Sequence, residues 1–480
     1  MGKFKEKITN SDFGFNFEDV ILLPGLSRVE PREVNLSSWF APCIKLAIPF
    51  VSSPMDTVTE EEMAVALARL GGLGILHRNC SIEEEVEMAK RVKRSESYII
   101  RDVVSISPSA TVGEAASIMR EKRISGLPVV EKGRLVGIIT ERDVRFADRR
   151  LKVKEAMTRE VVVAKPTVEP EEAIELMRRH KIEKLPIVDD SNRLYGLITY
   201  RDVEMREKYK EATRDEEGRL RVGAAISPFD LKRAKSLSPY VDVLVIDVAH
   251  FHNLNVIEAT KRIVKETGKE VVIGNLGTGE AVLDSISRID EVAGLRVGIG
   301  SGSVCTTMEV ARAGAPTLFA ITEAADALEE LGMNIPITAD GGIRGAGDVA
   351  LAIACGASVV MMGYVFAGCK ESPGATSIIG GRYYKLHRGM GSLAARRKRI
   401  AVDRYAQLSK EIPEGTEVWV PYRGDVATVI SEFKAGLRIA MGYAGAANME
   451  EMREKSRLLR VSPRTHTRAP DILMTPSGEM

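Results

Sequence analysis

Cysteine is scarce in this sequence. Five cysteines are spread over 480 residues, at Cys43, Cys80, Cys305, Cys355 and Cys369. They are too few for a disulfide framework, and no two of them have the spacing of a Cys-x-x-Cys metal site. A reducing, cytoplasmic compartment is therefore expected.

The sequence also lacks an excess of charge of either sign and any long apolar run. Its 68 lysines and arginines balance 67 aspartates and glutamates, which leaves a net charge of +1. Such a weak overall field does not draw a chain to nucleic acid or to an anionic membrane, and no stretch approaches the roughly 18 apolar residues of a membrane span. The first residues contain no apolar run typical of a signal peptide. We expect a cytoplasmic protein of more than one domain, with no membrane or nucleic-acid partner.

An internal repeat lies in the first half of the chain. The segment Ser105–Val144 is echoed by Val163–Val203. In each copy a proline-containing loop leads to an amphipathic helix, two apolar strands and a Thr-x-x-Asp sequence that opens a second helix. Because each copy is too small to bury its own apolar face, the pattern predicts one paired module over 99–205, with copies at about 101–150 and 157–205.

Outside the repeat, eight short apolar runs alternate with helical patterns. The runs are apolar throughout rather than at every second residue, as expected of parallel strands buried on both faces. Eight such strands alternating with helices form a closed (β/α)8 TIM barrel, which the repeat would interrupt after the second strand. The barrel is expected over 1–98 and 206–480, with its strands in Leu46–Ser53, Gly72–His77, Val222–Ser227, Asp242–Val248, Glu270–Leu276, Leu295–Gly300, Ile335–Asp340 and Ser358–Gly363.

Polar residues at the carboxyl ends of these strands are the candidates for an active site, because barrel enzymes carry their chemistry there. The sharpest candidate is Cys305, which follows closely spaced glycines whose exposed backbone groups suit a phosphate or a cation. The alternative for Cys305 is a small buried side chain. The other candidates are Ser52, Ser53, Met55, Asp56, Asp247, His250, His252, Asn275, Asp340 and Gly363.

Three of these features carry a more specific interpretation. Asp340 precedes two glycines, which suits a sugar diol beside a phosphate, although a turn aspartate has the same sequence. His250 and His252 have no third ligand at a suitable spacing, so no transition-metal site is predicted. Residues 372–424 show little apolar periodicity, which is typical of an active-site lid.

Many short motifs occur in the order found in a known family. They are SSPMDTVTE, GGLGILHRN, DVAHFHN, GLRVGIGSGSVCTT, ADGGIRGAGDVA, RGMGS, DRYAQ, PEG and VPYRG. In this order they resemble the inosine 5'-monophosphate (IMP) dehydrogenases from one end of the chain to the other, and the repeat resembles the paired CBS domains of those enzymes. The resemblance implies a TIM barrel, a homotetramer or octamer, and the NAD-dependent oxidation of IMP to xanthosine 5'-monophosphate (XMP) in guanine nucleotide synthesis.

The resemblance also assigns roles to individual residues. Cys305 would add to C2 of the purine ring. Thr307, Glu414 and a mobile flap near 386–424, bearing Arg404 and Tyr405, would hydrolyse the resulting thioimidate. Substrate-binding residues would be Ser53, Met55, Ser303, Asp340, Gly342, Gly363, Tyr364, His387, Met390, Gly391 and Glu414. The NAD side would include Asp247, His250, Asn275, Gly298 and Gly300, and the carbonyls of Gly300, Gly302 and Cys305 would bind potassium.

The chain departs from the family pattern at a few positions. His387 replaces the usual tyrosine before Arg-Gly-Met-Gly, and Tyr364 replaces a usual serine, so Tyr364 could supply the hydroxyl that His387 lacks. Ala315 to Thr317 replaces Val-Pro-Gln, and Phe251 replaces the glycine of His-Gly-His. These changes bear on substrate affinity and cofactor geometry more than on the reaction type.

Two other functions stay open. GMP reductase shares the barrel, the cysteine loop and the Thr/Glu pair, and Gly424-Asp425-Val426 favours it. Arg404, Tyr405 and the inserted repeat favour the dehydrogenase instead. The second alternative is a nucleotide-sensing protein that has lost activity, against which the intact catalytic positions argue.

The repeat itself carries a candidate regulatory site. Each copy has a Thr-x-x-Asp sequence at the start of a helix, Thr140 with Asp143 and Thr199 with Asp202. A hydroxyl and a carboxylate in this position suit the phosphate and ribose of a purine nucleotide. Ordinary helix capping explains the same pattern.

Overall fold

The structure is a computed structural model that describes residues 13–95, 99–101, 103–122, 124–393, 395 and 414–461. The chain divides into two compact units. The larger unit lies within Met1–Val92, Glu211–Thr213 and Arg221–Met480, and the inserted unit within Lys93–Lys210 and Arg214–Leu220. The inserted unit is therefore a few residues longer at each end than the repeat alone predicts.

The larger unit is built on a closed barrel of eight parallel strands that pair in chain order. Each predicted apolar run contributes one strand, so the predicted fold class is confirmed. Nearly every strand residue is buried, which explains why the runs are uniformly apolar. The strands are β1 (Phe50–Ser52), β2 (Leu73–Leu76), β3 (Gly223–Ile226), β4 (Val243–Ile246), β5 (Glu270–Leu276), β6 (Val292–Val297), β7 (Ile337–Asp340) and β8 (Val359–Met362).

Helices follow the strands around the barrel. The helix after β4 is typical: the Asn253 side chain accepts a hydrogen bond from a first-turn amide, and Gly268 ends the helix in the left-handed conformation at φ +60°. The main helices are α1 (Glu61–Arg69), α2 (Ile82–Ser95), α3 (Leu231–Leu237), α4 (Leu254–Thr267), α5 (Gly279–Arg288), α6 (Thr317–Leu331), α7 (Ala346–Ala354) and α8 (Val426–Ala444). None of the helices in the described ranges is long and apolar enough to cross a membrane.

A β-hairpin closes the amino end of the barrel. Its strands, Ser38–Ala41 and Ile44–Leu46, place Phe40, Ile44 and Leu46 in one fully buried cluster with side chains from the barrel strands. With that end filled by the hairpin, the carboxyl ends of the strands are left to hold a ligand.

The remaining elements of the larger unit lie outside the barrel wall. Residues 376–421 contain an antiparallel three-stranded sheet, in a segment that the sequence predicts to be an irregular lid. The alternation of inward and outward residues is hidden there because two inward side chains, Lys385 and His387, are polar. The sheet strands are Thr376–Ile379, Arg382–Arg388 and Glu417–Pro421. Val20–Leu23 pairs with Arg457–Arg460, and short helices span Phe17–Asp19, Pro31–Glu33, Thr307–Val310, Tyr364–Ala367 and Met449–Lys455.

The inserted unit contains both copies of the repeat, each with an antiparallel hairpin and flanking helices. Each copy has a buried apolar cluster, around Leu127 in the first copy and Leu185 in the second. Asn192 joins the copies, since its amide donates to the carbonyl of Leu135 at 3.0 Å. The strands are Gly126–Glu131, Arg134–Thr140, Lys184–Val188 and Leu194–Thr199, and the helices are Val112–Lys122, Glu141–Phe146, Val153–Ala156, Pro170–His180 and Tyr200–Lys208.

The contact of β2 with α1 depends on Gly74. A Cβ atom at Gly74 would lie 2.5 Å from the Cα of Ala64 on α1, and backbone cannot move aside cheaply. We expect Gly74→Ala to lower the free energy of unfolding by about 1–3 kcal/mol through overpacking, measured as a lower midpoint of thermal unfolding. Gly347→Ala on α7 is the matched control, because a Cβ there meets nothing within 4 Å. Equal midpoints for the two variants would contradict the assigned contact.

Candidate active site

A cavity opens at the carboxyl ends of the barrel strands, with about 1050 Å³ of space when the open solvent at its mouth is included. It brings together most of the residues that the sequence singles out, although they come from distant parts of the chain. The predicted residues that line it are Ser53, Met55, Asn275, Gly298, Gly300, Gly302, Ser303, Cys305, Thr307, Asp340, Gly342, Gly363, Tyr364, His387, Met390, Gly391 and Glu414.

Cys305, Thr307 and Glu414 form a hydrogen-bonded chain in this cavity. The Sγ of Cys305 lies 3.2 Å from the Oγ1 of Thr307, whose hydroxyl donates to Oε2 of Glu414 at 2.9 Å. A threonine hydroxyl has a single proton, and here it is given to Glu414, so Thr307 can only accept from the thiol. A proton that leaves Sγ therefore has a direct route to a carboxylate. We call these three side chains the relay.

The other four cysteines lie in different surroundings. Cys80 and Cys369 are buried, and burial raises the pKa of each thiol to about 12. Burial likewise raises the pKa of Cys355 to about 11, and Cys43 is exposed outside the cavity. A high thiol pKa leaves almost no reactive thiolate at neutral pH, so none of the thiols of Cys80, Cys355 and Cys369 suits a nucleophile.

Two glycine loops bring the relay close to Asp340. Gly298, after β6, has φ +114°, and a Cβ atom there would lie 2.5 Å from the carbonyl oxygen of Asp340. Gly341, after β7, has φ +94°, and its Cβ would lie 3.2 Å from the amide nitrogen of Gly302. Only glycine permits this conformation and this approach of backbone to backbone. The glycines thus explain why the cysteine loop and Asp340 share one cavity.

Arg296, which none of the sequence motifs singles out, connects two of the predicted carboxylates. Its Nη1 donates to Oδ1 of Asp247 at 2.9 Å, and its Nε donates to Oδ2 of Asp340 at 2.9 Å. Burial alone would lower the pKa of Arg296, but the two aspartates raise it, so the guanidinium stays charged. A charged residue inside the apolar run Leu295–Gly300 is the signal that could have revealed it, because a buried charge needs a partner.

This pairing decides where Asp247 lies. Its carboxylate is buried against Arg296, and its carbonyl accepts a hydrogen bond from Nη2 of Arg78 at 3.1 Å. Asp247 does not line this cavity. Asn275 donates to the same Oδ2 of Asp340 at 2.9 Å and to the carbonyl of Gly298 at 2.7 Å. Asp247 and Asn275 therefore hold Asp340 and the glycine loop in place, and a contact of Asp247 with a cofactor stays a prediction.

His387 lies in the cavity as an uncharged side chain. It is buried, with Nδ1 3.4 Å from the hydroxyl of Thr57. Burial lowers the pKa of His387 to about 4, although Asp56 nearby raises it. At neutral pH the ring is therefore a hydrogen-bonding group and not a cation. Tyr364 lines the same cavity, and the guanidinium of Arg423 lies 5.8 Å from the centre of its ring.

A second cavity adjoins the first at the relay. It has about 1120 Å³ of empty space and shares Thr307 and Glu414 with the first cavity. His250 and His252 line it, and Nε2 of His252 lies 3.1 Å from a carboxylate oxygen of Asp284. Burial, and to a smaller extent His252, lowers the pKa of His250. Within the described ranges no three histidine, cysteine or acidic side chains are grouped as metal ligands require.

Some predicted residues lie elsewhere. Arg404 and Tyr405 are outside the described residues. Asp56 is paired with Arg388 beside the cavity. In the inserted unit, Asp143 accepts hydrogen bonds from both the amide and the hydroxyl of Thr140 at 2.7 Å, which is the helix-capping arrangement. The same backbone position recurs in the second copy, where Thr199 ends a strand just before the helix that contains Asp202.

The fold and the site together define a class of protein. A TIM barrel holds a partly exposed thiol next to a proton acceptor, with glycine loops suited to phosphate and a second cavity alongside. These features suit a barrel enzyme with a reactive cysteine and two adjoining ligand cavities.

Comparison with known proteins narrows the class to a family. The family model described as the IMP dehydrogenase / GMP reductase domain matches residues 14–469. The inosine-5'-monophosphate dehydrogenase of Korarchaeum cryptofilum is 58% identical, over 95% of this chain and 96% of that protein. The enzyme of the same name from Methanocaldococcus jannaschii is 48% identical, over 98% of each. The chain belongs to the IMP dehydrogenase / GMP reductase family.

Solved structures from the other branch of the family are also similar. A cysteine-to-alanine variant of GMP reductase from Trypanosoma brucei, in complex with guanosine 5'-monophosphate, has a TM-score of 0.87 at 36% identity. The comparison covers 96% of this chain and 100% of that one. A GMP reductase can therefore match this chain over nearly its whole length, so the inserted unit does not separate the two activities.

The lowered pKa of His387 predicts a pH dependence of stability. A histidine in an unfolded chain has a pKa near 6.5, so between about pH 6.5 and 4 the unfolded state binds a proton that the folded state does not. The fold should lose up to about 3 kcal/mol across this window, with no further loss from His387 below it. The substitution His387→Gln removes this contribution to the pH dependence of stability. The thermal midpoint of unfolding of the wild type, measured relative to that of the variant, should be lower at pH 4 than at pH 7. A difference that stays constant with pH would contradict a neutral, buried His387.

Proposed function

We propose that this chain oxidises IMP to XMP with NAD⁺ and water, in the synthesis of guanine nucleotides. The observation that carries the proposal is the relay, which gives Cys305 a proton acceptor inside the cavity at the carboxyl ends of the barrel strands. Membership of the family and the dehydrogenase names of relatives up to 58% identical support the direction of the reaction.

The relay accounts for both halves of the reaction. As Sγ of Cys305 forms a bond to C2 of the hypoxanthine ring, the thiol proton passes through Thr307 to Glu414, and the electron pair of the C2–N3 double bond moves to N3, to restore that bond when the hydride leaves. C2 then loses its hydrogen with the bonding electron pair. NAD⁺ supplies the acceptor for this hydride. Water adds across the C2–N3 double bond of the thioimidate, so that one of its protons goes to N3. The C2–S bond then breaks, the second proton of the water leaves to solvent, and XMP leaves with the oxygen of that water. Sγ recovers its proton by the reverse route.

The cavity residues suit the three parts of IMP. The phosphate would be held by Ser303, Gly342, Gly363, Tyr364 and His387. Among these, Tyr364 and the uncharged His387 would act as hydrogen-bonding groups. Asp340 would accept the ribose hydroxyls, because its donors from Arg296 and Asn275 go to Oδ2 and Oδ1 remains for the substrate. Ser53, Met55, Met390 and Gly391 would border the base and sugar.

The second cavity suits NAD. It meets the first at Thr307 and Glu414, so a nicotinamide there would lie beside the carbon that Cys305 attacks. His250 would contact the cofactor from this cavity. Gly298 and Gly300 would contact it from the loop between the cavities, with Asn275 behind the loop. Asp247 would act through Arg296.

Potassium fits the cysteine loop as a structural ion. The carbonyls of Gly300, Gly302 and Cys305 would hold it, and carbonyl oxygens are suitable ligands for a hard cation. The Gly302 carbonyl accepts one hydrogen bond, from the amide of Cys305 at 3.0 Å, and keeps a second lone pair. The ion would supply a fixed positive charge that orders the loop.

The remaining assignments follow the same family logic. Arg404 and Tyr405 would activate the water that hydrolyses the thioimidate. The inserted unit would be a CBS pair that binds purine nucleotides near Thr140, Asp143, Thr199 and Asp202. The capping bonds of Thr140 leave ordinary helix capping as the competing explanation for the first copy. A homotetramer or octamer is the assembly proposed.

GMP reductase is the second candidate, and the resemblance to the trypanosomal reductase structures favours it. A reductase would use the same relay to protonate a leaving ammonia and would not need Arg404 and Tyr405. The higher identity to proteins named as dehydrogenases weighs against it.

The nucleophile is tested by Cys305→Ser. A hydroxyl has a much higher pKa than a thiol and cannot replace it in covalent catalysis, so turnover of IMP should fall at least about a thousandfold while IMP still binds. NADH formation and XMP identification measure the loss. Cys43→Ser, at an exposed cysteine outside the cavity, should retain full activity. A Cys305→Ser enzyme with a tenth of wild-type activity would exclude this role.

The role of Arg404 is tested separately in the pre-steady state. If Arg404 acts only after hydride transfer, Arg404→Ala should give a burst of NADH on mixing with IMP and NAD⁺, followed by slow turnover. Stopped-flow absorbance measures both phases. A burst that disappears in proportion to the steady-state rate would place Arg404 in binding or in the redox step.

A further inference from the structure

Asp56 carries an ion pair immediately outside the cavity. It follows β1, and its side chain is only 1% exposed. Arg388 donates to it with both arms of the guanidinium, from Nε to Oδ1 at 3.0 Å and from Nη2 to Oδ2 at 2.6 Å. Asn79 donates a third hydrogen bond to Oδ2 at 2.7 Å. A bidentate, charge-assisted pair of this kind fixes both the distance and the orientation of its partners.

The backbone of Arg388 is held at the same place. Its amide donates to the hydroxyl of Thr57 at 3.2 Å, and Thr57 directly follows Asp56. Burial alone would raise the pKa of Asp56, but the bonds from Arg388 and Asn79 hold it below its ordinary value. The carboxylate is thus ionised, and the loop after β1 holds Arg388 at two points.

Arg388 is also the residue from which the next turn begins. The amide of Gly389 donates to the carbonyl of Thr416 at 3.0 Å, and a Cβ at Gly389 would lie 2.7 Å from the carbonyl oxygen of Val304. The amide of Glu414 donates to the carbonyl of Gly391 at 3.2 Å. The segment that carries Glu414 is bonded directly to the cysteine loop, because the amide of Thr416 donates to the carbonyl of Val304 at 3.0 Å. The turn 389–391 packs against this junction and contacts both segments.

We propose that Asp56 is a positioning residue for the relay: through Arg388 it holds the turn 389–391, and the turn keeps Glu414 within hydrogen-bonding distance of Thr307. The inference rests on the proposed function, because it gives the relay a role in turnover. In this proposal Asp56 contacts neither substrate nor cofactor. It acts through the backbone of residues 389–391, which follow its partner Arg388.

The direct test is Asp56→Asn, which keeps the size of the side chain but loses its charge and turns an amide donor toward the donors of Arg388. We expect kcat for IMP oxidation to fall between about ten- and a hundredfold, as a displacement of about 1 Å in a catalytic group would cause. Arg388→Lys, which keeps the charge but loses the planar fork, should lie between this variant and the wild type. Glu61→Gln is the matched control, because it breaks the more exposed ion pair of Glu61 with Arg91 at 2.6 Å and should leave kcat unchanged.

A double-mutant cycle separates positioning from a general loss of structure. If Asp56 acts through Glu414, then Asp56→Asn should cost little in an enzyme that already carries Glu414→Gln. Losses that multiply in the double variant, or a kcat for Asp56→Asn within twofold of the wild type, would overturn the proposal. Should Asp56→Asn fail to fold, Arg388→Lys carries the same cycle, with the same two outcomes.

Failure of the proposed function would look different. A wild-type chain that forms no NADH from IMP but consumes NADPH with GMP refutes the dehydrogenase assignment alone. The cycle is then measured on GMP reduction, where the relay has the same three members.

Discussion

The active site depends on a buried guanidinium at the centre of the barrel mouth. Arg296 points into an interior where an unpaired charge would be very costly, and it is satisfied by Asp247 on one side and Asp340 on the other. Asn275 extends this network from Asp340 to the carbonyl of Gly298, where the cysteine loop begins. Because the buried arginine needs carboxylate partners, its hydrogen-bond network connects the ends of β4, β5, β6 and β7. Cys305, the proposed nucleophile, is held on a loop that this network fixes.

The relay is assembled from two segments that are far apart in the chain. Cys305 and Thr307 follow β6, whereas Glu414 lies just before the last strand of the outer three-stranded sheet, Glu417–Pro421. Under the proposed function the same three side chains would serve the two reactions of the family, because both would need a thiol adduct at C2 of a purine and a group that moves a proton. What separates the reactions is the fate of that adduct, and here the proposal relies on Arg404 and Tyr405. The inserted unit does not help to distinguish the dehydrogenase from the reductase, since a reductase structure matches this chain over nearly its full length.

The sequence was sufficient for the barrel and for most of the cavity, but not for how the site is connected. The eight buried strands were predictable because parallel strands covered on both faces are uniformly apolar. Residues at strand ends, such as Cys305 and Asp340, were predictable because the fold determines where strand ends meet. Arg296 was missed because its role depends on two aspartates 49 and 44 residues away. The outer sheet was not predictable because Lys385 and His387 are polar although they are buried, so the strand lacks the usual alternation of apolar and polar residues. In the repeat, the local pattern could not separate a nucleotide site from a helix cap, and Thr140 makes the cap.

Isotope transfer tests the central claim, that Cys305 and its relay oxidise IMP by hydride transfer followed by hydrolysis, most directly. IMP deuterated at C2 would be turned over with NAD⁺ in ¹⁸O-labelled water, and both products would be examined by mass spectrometry. The account predicts that the deuterium appears in the reduced nicotinamide and that XMP carries one ¹⁸O atom. Unlabelled reduced cofactor, XMP without the heavy oxygen, or reaction only of GMP with NADPH would contradict it.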